Sequence, residues 1–143
     1  MANKEMDYKS VWEKLRKVDI SNKLVSKMGL DYLGWADAWS LFMSNFPQAT
    51  YIFDEPTFFG VEGKRTCMVN CTIYIGKLER SWSLPVMTAS MPMKSIPEPS
   101  SRDISDAKAR CFVKTIAMYG LGLHLWEKRE KAGYTTNLNE KPF

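Results

Sequence analysis

A chain of 143 residues is long enough for one domain with a substantial hydrophobic core and too short for two ordinary ones. With 45% hydrophobic and 25% charged residues it lies in the globular range, which excludes a disordered or fibrous chain. Its 20 basic and 16 acidic residues give a net charge of +4, an excess that admits a polyanionic partner without demanding one.

The opening stretch "MANKEMDYKSVWEKL" has charges scattered through it and no apolar signal segment, and no run approaches the roughly 18 apolar residues needed to span a bilayer. The expectation is a soluble cytoplasmic protein with no membrane partner. Cys67, Cys71 and Cys111 are odd in number and none stands at a zinc-ligand spacing from the lone His124, so no metal is expected and a reducing compartment fits.

In chain order, "SVWEKLRKVDI" sets Ser10 three residues before Glu13, the spacing of a capping box. Val11, Leu15 and Val18 then recur at helical intervals above the outward charges Lys14, Arg16 and Lys17. The segment from 21 to 47 begins loosely and turns helical where Trp35, Trp39, Phe42 and Phe46 fall at steps of four, three and four, before Pro47 stops it. That aromatic stripe reads as a core face, with Trp35 the most exposed member because it starts the helix.

From Ala49 to Met87 the period changes to that of strands. "ATYIFDEPTFF", "KRTCMVNCTIYIGK" and "ERSWSLPVM" are β-rich runs separated at Gly60 to Gly63 and at Gly76, which predicts a three-stranded antiparallel meander. In the middle run Cys67, Val69, Cys71, Ile73 and Ile75 share one face, while Met68, Asn70, Thr72 and Tyr74 share the other. The two cysteines on the apolar face read as small buried hydrophobes.

"TASMPMKSIPEPSSRDIS" holds three of the seven prolines and is expected to be a long loop, of a length that is usually functional or disordered. After it, Ser105 or Asp103 caps a helix through "DAKARCFVKTIAMY", with Gly120 at its end. Tyr119, Phe112, Ile116, Ala109, Val113 and Ala117 span one arc of that helix at 100° per residue, and Arg110 and Lys114 lie just beyond its edge. The polar "WEKREKAGYTTNLNEKPF" reads as the least ordered part. The expected fold class is therefore α+β: two N-terminal helices, a meander and a long helix in one domain, with a core over about 10–126 and a polar tail over 127–143.

Catalytic signatures are missing. His124 has no nucleophile motif beside it, and Asp54 and Glu55, adjacent on a strand end, point to opposite sides and make a poor acid–base pair. The "GLG" at 120–122 follows a helix, whereas a phosphate cradle precedes one. The expectation is a protein that is not an enzyme and needs no cofactor.

Two patches, "YLGWADAW" and "RCFVKTIAMYGLGL", in this order and with "LPVM" before the loop, resemble the phage single-strand annealing proteins of the Sak type. These are similar to the essential recombination function family and the eukaryotic recombination mediator, within a superfamily of ring-forming annealing proteins. The family's motifs run close to Tyr-Leu-Ser-Trp-Ala-x-Ala-Trp and Arg-Cys-Leu-Val-Lys-Ala-Ile-Ala-x-x-Gly-Leu-Gly-Leu, and the resemblance covers roughly 10–126. It departs after the last patch, where "HLWEKRE" replaces an acidic "GEDLP"-like segment, and in its short C-terminal extension.

The resemblance implies a β-β-β-α core that assembles into homo-oligomeric rings or filaments. It implies a phage recombinase that anneals complementary single-stranded DNA in a basic outer groove without nucleotide hydrolysis. A host or phage single-stranded DNA-binding protein is a further candidate partner. Under this reading Arg110 and Lys114 lead the DNA-binding set, joined by Lys64 and Arg65, Lys77 and Arg80 at the turns, and Lys94 and Arg102 in the long loop. Tyr74 and Trp82 are candidates for base stacking. The plainer alternative makes Arg110 and Lys114 rim cations, or pairs Arg110 with Asp106 along the helix. A second functional reading keeps the fold but makes the chain an oligomeric interaction protein.

Overall fold

The computed structural model describes residues 6–27, 29–90 and 92–131. In chain order the elements are α1 (Tyr8–Leu15), a 3-10 turn (Ser21–Lys23), β1 (Leu24–Lys27), β2 (Leu30–Leu33), α2 (Trp35–Asn45), β3 (Thr50–Phe53), β4 (Thr57–Phe59), β5 (Thr66–Ile75), β6 (Leu78–Pro85), α3 (Ser101–Ala117) and α4 (Leu123–Lys131). The class is α+β, with antiparallel sheets.

The expected Ser10–Glu13 cap does not form, because Asp7 starts α1 one turn earlier and accepts the Ser10 N–H at 2.8 Å. Val11 and Leu15 are fully buried. The stretch expected to be loose folds into a hairpin, β1 pairing with β2 from Leu24↔Leu33 to Lys27↔Leu30. Four-residue strands are too short for a period of two to stand out in sequence. In α2, Ala38 and Phe42 are buried, Phe46 closes the helix, and Trp35 is 55% exposed at its start.

The first β-rich run forms two strands, so the main sheet has four strands where three were expected. β6 pairs with Met68 to Ile75 along one edge of β5, so β3 and β4 share the other edge, opposite residues 71–74 and 66–68. Pro56 has no N–H to give a ladder, and the chain breaks there. Asp54 holds the break in place, accepting from Asn70 Nδ2 at 2.6 Å while its own N–H donates to the Asn70 carbonyl at 3.1 Å.

Cys67, Val69, Cys71, Ile73 and Ile75 are all buried under α3, as their alternation predicts. The opposite face of the sheet carries a neutral polar ladder: Ser83 Oγ donates to Asn70 Oδ1 and Thr72 shares a hydrogen bond with Ser81, both at 2.7 Å.

On α3 the buried arc is rotated from the expected one. Ala107, Cys111 and Thr115 are fully buried with Phe112 and Ile116, whereas Ala109 and Val113 are only half-buried. Small side chains let the helix approach the sheet closely: the Cys111 thiol donates to the Trp82 carbonyl at 3.1 Å, and Thr115 returns its hydroxyl to the Cys111 carbonyl at 2.8 Å. Burial pushes the Cys71 thiol up to about 12 and the Cys111 thiol up to about 11. Both are inert hydrophobes at neutral pH.

α3 ends at Ala117, with Met118 as its cap, so Gly120 lies beyond the position expected for it. The buried Tyr119 hydroxyl donates to the Ile73 carbonyl at 2.8 Å, tying the end of the helix to the sheet.

The proline-rich loop is shorter and better held than expected. α3 starts at Ser101 because Ser100 and Asp103 form the capping box, which replaces the predicted cap at Asp103 or Ser105. Before it, Ile96 N–H donates to the Val86 carbonyl and Thr88 N–H to the Lys94 carbonyl. Glu98, at φ 45°, accepts from the Gly63 and Arg65 amides and from the Arg65 guanidinium at 2.9 to 3.0 Å.

That guanidinium holds the Glu98 carboxyl down to about 2, with the backbone amides adding to the effect. A depressed carboxylate contributes stability that is present above its unfolded value and lost as pH falls through the folded one. Hydrogen exchange at the Gly63 and Arg65 amides should therefore stay slow in the parent until pH falls through about 2. In Glu98→Gln it should be fast already at neutral pH; equal rates there would mean that the clamp does not hold the loop.

The polar tail is a second correction, since residues 123–131 form α4, with Leu125 and Arg129 buried. The remainder of the predicted tail, 132–143, lies outside the described residues.

Candidate nucleic-acid interface

Arg110 and Lys114 stand one turn apart on α3, both half-buried at the margin of its core face. Arg110 Nη2 donates to the Met87 carbonyl at 3.1 Å, and its buried Nε has no partner among the described residues. The Lys114 ammonium lies 4.7 Å from the centre of the Trp126 ring. Asp106 pairs with Arg102 at 3.4 Å, on the exposed side of the helix, so the alternative Asp106–Arg110 pair is not what is observed.

α4 folds back to supply two groups that sequence reasoning did not single out, Trp126 and Arg129. The Arg129 guanidinium lies 4.3 Å from the Trp126 ring centre and 4.1 Å from that of Tyr32 on β2. Its Nη2 donates to the Asp31 carbonyl at 2.6 Å, while its Nε is buried without a partner among the described residues. A stack therefore runs Tyr32, Arg129, Trp126, Lys114, alternating ring and cation across the hairpin, α4 and α3. Because Val25 pairs with Tyr32, Lys27 lies on the same face of the hairpin as Tyr32, and it is exposed.

Desolvation pushes Lys114 below the ordinary lysine value; Arg129 and Arg110 push the same way, while Glu130 opposes them. Burial likewise pulls Arg129 down. Like charges gathered in a half-dry place repel one another, and an anion relieves them.

The other candidates do not converge. Lys64 and Arg65 precede β5 while Lys77 and Arg80 follow it, and ten residues of strand put those ends about 30 Å apart. Arg65 is spent on Glu98 and on the Phe58 ring, and Arg80 stacks 3.9 Å from the Tyr8 ring centre. Lys64, Lys77 and Arg102 are exposed. Lys94 is exposed on the loop next to Ser95, which bridges Met87, the residue whose carbonyl holds Arg110. The loop thus runs toward the Arg110 end of the cluster.

Tyr74 and Trp82 lie on opposite faces of the sheet. Trp82 pairs with Cys71 and packs on the core, while Tyr74 pairs with Glu79 on the open face. They cannot form one stacking platform, and the open face also carries Asp54, which disfavours phosphate.

On the other flank of α3, Trp35, Trp39, Tyr51, Phe53, Lys108 and Phe112 line a cleft of about 320 Å³. Lys108 lies 5.6 Å from the Phe53 ring centre, so the cleft is an aromatic surface and not a phosphate track.

Among the described residues no group of His, Cys, Asp and Glu is placed to hold a metal ion, and no helix is long and apolar enough to cross a membrane. What could have flagged the missed residues is the spacing Trp126–Arg129, three apart on a helix, following the Arg110–Lys114 pair along the same basic edge.

No curated protein matches the chain. The family model for the Sak single strand annealing protein matches residues 9–132, a span that takes in α1, both sheets, the clamped loop, α3 and α4. The basic edge built by α3, α4 and the hairpin lies wholly inside that match, and the chain belongs to the Sak single-strand annealing protein family.

Proposed function

We propose that this protein binds single-stranded DNA along the α3–α4–hairpin edge and anneals complementary strands without nucleotide hydrolysis, as a homo-oligomeric ring or filament serving phage recombination in the host cytoplasm. The observation that carries this is the pair Arg110 and Lys114 one turn apart on α3, on an edge where Lys114, Trp126, Arg129 and Tyr32 stack into one frame. Cations on a rigid frame grip phosphates and leave base edges free to find their complements. Annealing of complementary labelled oligonucleotides without ATP tests it directly; a rate no faster than that of the oligonucleotides alone refutes it.

Assembly is supported by the outer edges of β6 and of β3 with β4, which pair with no strand among the described residues and can join head to tail into a ring or an open helix. Mass photometry should show large homo-oligomers, and monomers alone, with and without DNA, would remove that part of the reading. The aromatic cleft, with Trp35 and Tyr51 about half exposed, favours a second reading in which the chain acts by binding another protein. A single-stranded DNA-binding protein of host or phage is the partner to try first.

The depressed Lys114 gives the main reading a pH signature. Phosphate favours the charged amine, so bound Lys114 keeps its proton to higher pH than free Lys114, and binding takes up a proton between the two values. Affinity should fall as pH rises through this alkaline window, by at most about one log unit per pH unit for one proton. Lys114→Arg, charged throughout, should lack the slope; an unchanged slope would place the titrating group elsewhere.

A further inference from the structure

The hairpin β1–β2 is a two-stranded sheet that hydrogen-bonds to no other strand among the described residues. Such hairpins are marginal unless something packs on them. At its base Leu24 and Leu33 rest on the core. Farther out, the Asp31 carbonyl and the Tyr32 ring are both engaged by one side chain, Arg129.

Arg129 is only 6% exposed and leaves its Nε buried without a partner among the described residues, so its charge is poorly placed to meet a phosphate and its donors are poorly used. What it does use is its plane. The flat guanidinium fills the space between Tyr32 and Trp126 while one corner reaches the Asp31 carbonyl, and a lysine ammonium has neither the flatness nor the fork for this.

We infer that Arg129 is a positioning residue for the strand-binding surface: it pins the hairpin to α4, so that Lys27 is held on the same edge as Lys114 and Arg110, without itself touching DNA. The inference rests on the single-stranded DNA reading above, and it adds Lys27 as a phosphate contact whose place depends on Arg129.

Two measurements on the full chain test it. Without DNA, hydrogen exchange at the hairpin amides should rise about tenfold in Arg129→Lys, in Arg129→Ala and in Tyr32→Leu, with β5 amides unchanged. Tyr32→Leu leaves α4 intact, so it decides the matter even if an Arg129 variant loses that helix.

With a labelled oligothymidylate, Arg129→Lys should bind about as weakly as Arg129→Ala although it keeps the charge. Lys27→Ala should weaken the parent about threefold to tenfold and should weaken Arg129→Lys no further, because the unpinned hairpin no longer holds Lys27 against the strand. Arg129→Lys matching the parent in both affinity and hairpin exchange would overturn the assignment, as would additive effects of Lys27→Ala and Arg129→Lys. A parent that binds no oligothymidylate overturns the strand-binding reading itself, which is seen before any variant is compared.

Discussion

Replacing Arg110 and Lys114 together by alanine should lower the affinity for single-stranded DNA by at least about tenfold and flatten its log–log salt dependence by about 1.4, which is about 0.7 for each phosphate no longer neutralised. Annealing should fall with binding. Alanine favours helix, and the buried arc of Ala107, Cys111, Phe112, Thr115 and Ile116 is untouched, so α3 should stay folded. The structure adds one cost, the hydrogen bond from Arg110 to the Met87 carbonyl, which anchors the start of the clamped loop. Circular dichroism and salt titrations on the same sample separate the two roles. A variant that unfolds, or that falls to monomers with unchanged binding per folded subunit, would make the pair structural. One that binds like the parent would move the groove elsewhere, with Lys94 and Arg102 the next pair to replace.

Gly120→Ala is expected to have the largest effect on stability. At φ 118° the backbone is in a region that L side chains rarely adopt, and an added Cβ would meet the Trp12 carbonyl at 3.2 Å and the Arg16 amide at 3.3 Å. Both atoms are backbone of α1 or its cap and cannot swing aside as a side chain would, so α1 must give by a few tenths of an ångström, which disturbs the packing of Val11 and Leu15 in the core. Strain and displacement together should cost about 2 to 4 kcal/mol, read as a lower midpoint in urea at unchanged slope. A loss under about 1 kcal/mol would show that α1 sits on Gly120 more loosely than these distances say.

What the sequence disclosed followed the strength of its periods. The ten residues of β5 alternate, broken only at Thr72, which is buried on the outer face, and every residue on the expected inner face is buried. The Trp35 to Phe46 stripe was equally plain. Hydrophobicity alone misplaced the arc of α3, because the side chains nearest the sheet are Ala107, Cys111 and Thr115, chosen for small size and not for greasiness. The hairpin was hidden by its brevity. The break between β3 and β4 was written in "DEP", although proline there reads as well as the end of a strand as an interruption.

For the candidate site, helical spacing is enough to set Arg110 and Lys114 one turn apart at the margin of the helix core face, where the structure has them. Arg129 could not be found that way, since its partners Tyr32 and Asp31 are nearly a hundred residues away and nothing local marks a cation that will be buried. Sequence offers Arg65 and Arg80 as DNA-binding candidates at turns, and nothing local in it shows the contacts with Glu98 and Tyr8, which reach them only through the fold.

The three sequestered thiols make the protein easy to watch. Cys67, Cys71 and Cys111 are all buried, and burial raises each thiol above its ordinary value, so maleimide dyes should leave the native chain unlabelled. A single cysteine introduced at an exposed position such as Ser26, on the hairpin, then becomes a unique attachment point with no need to strip the core of its own sulfur. A second at Ser44, exposed on α2, completes a donor–acceptor pair, and single-molecule energy transfer between them can follow the hairpin as strands arrive, pair and depart.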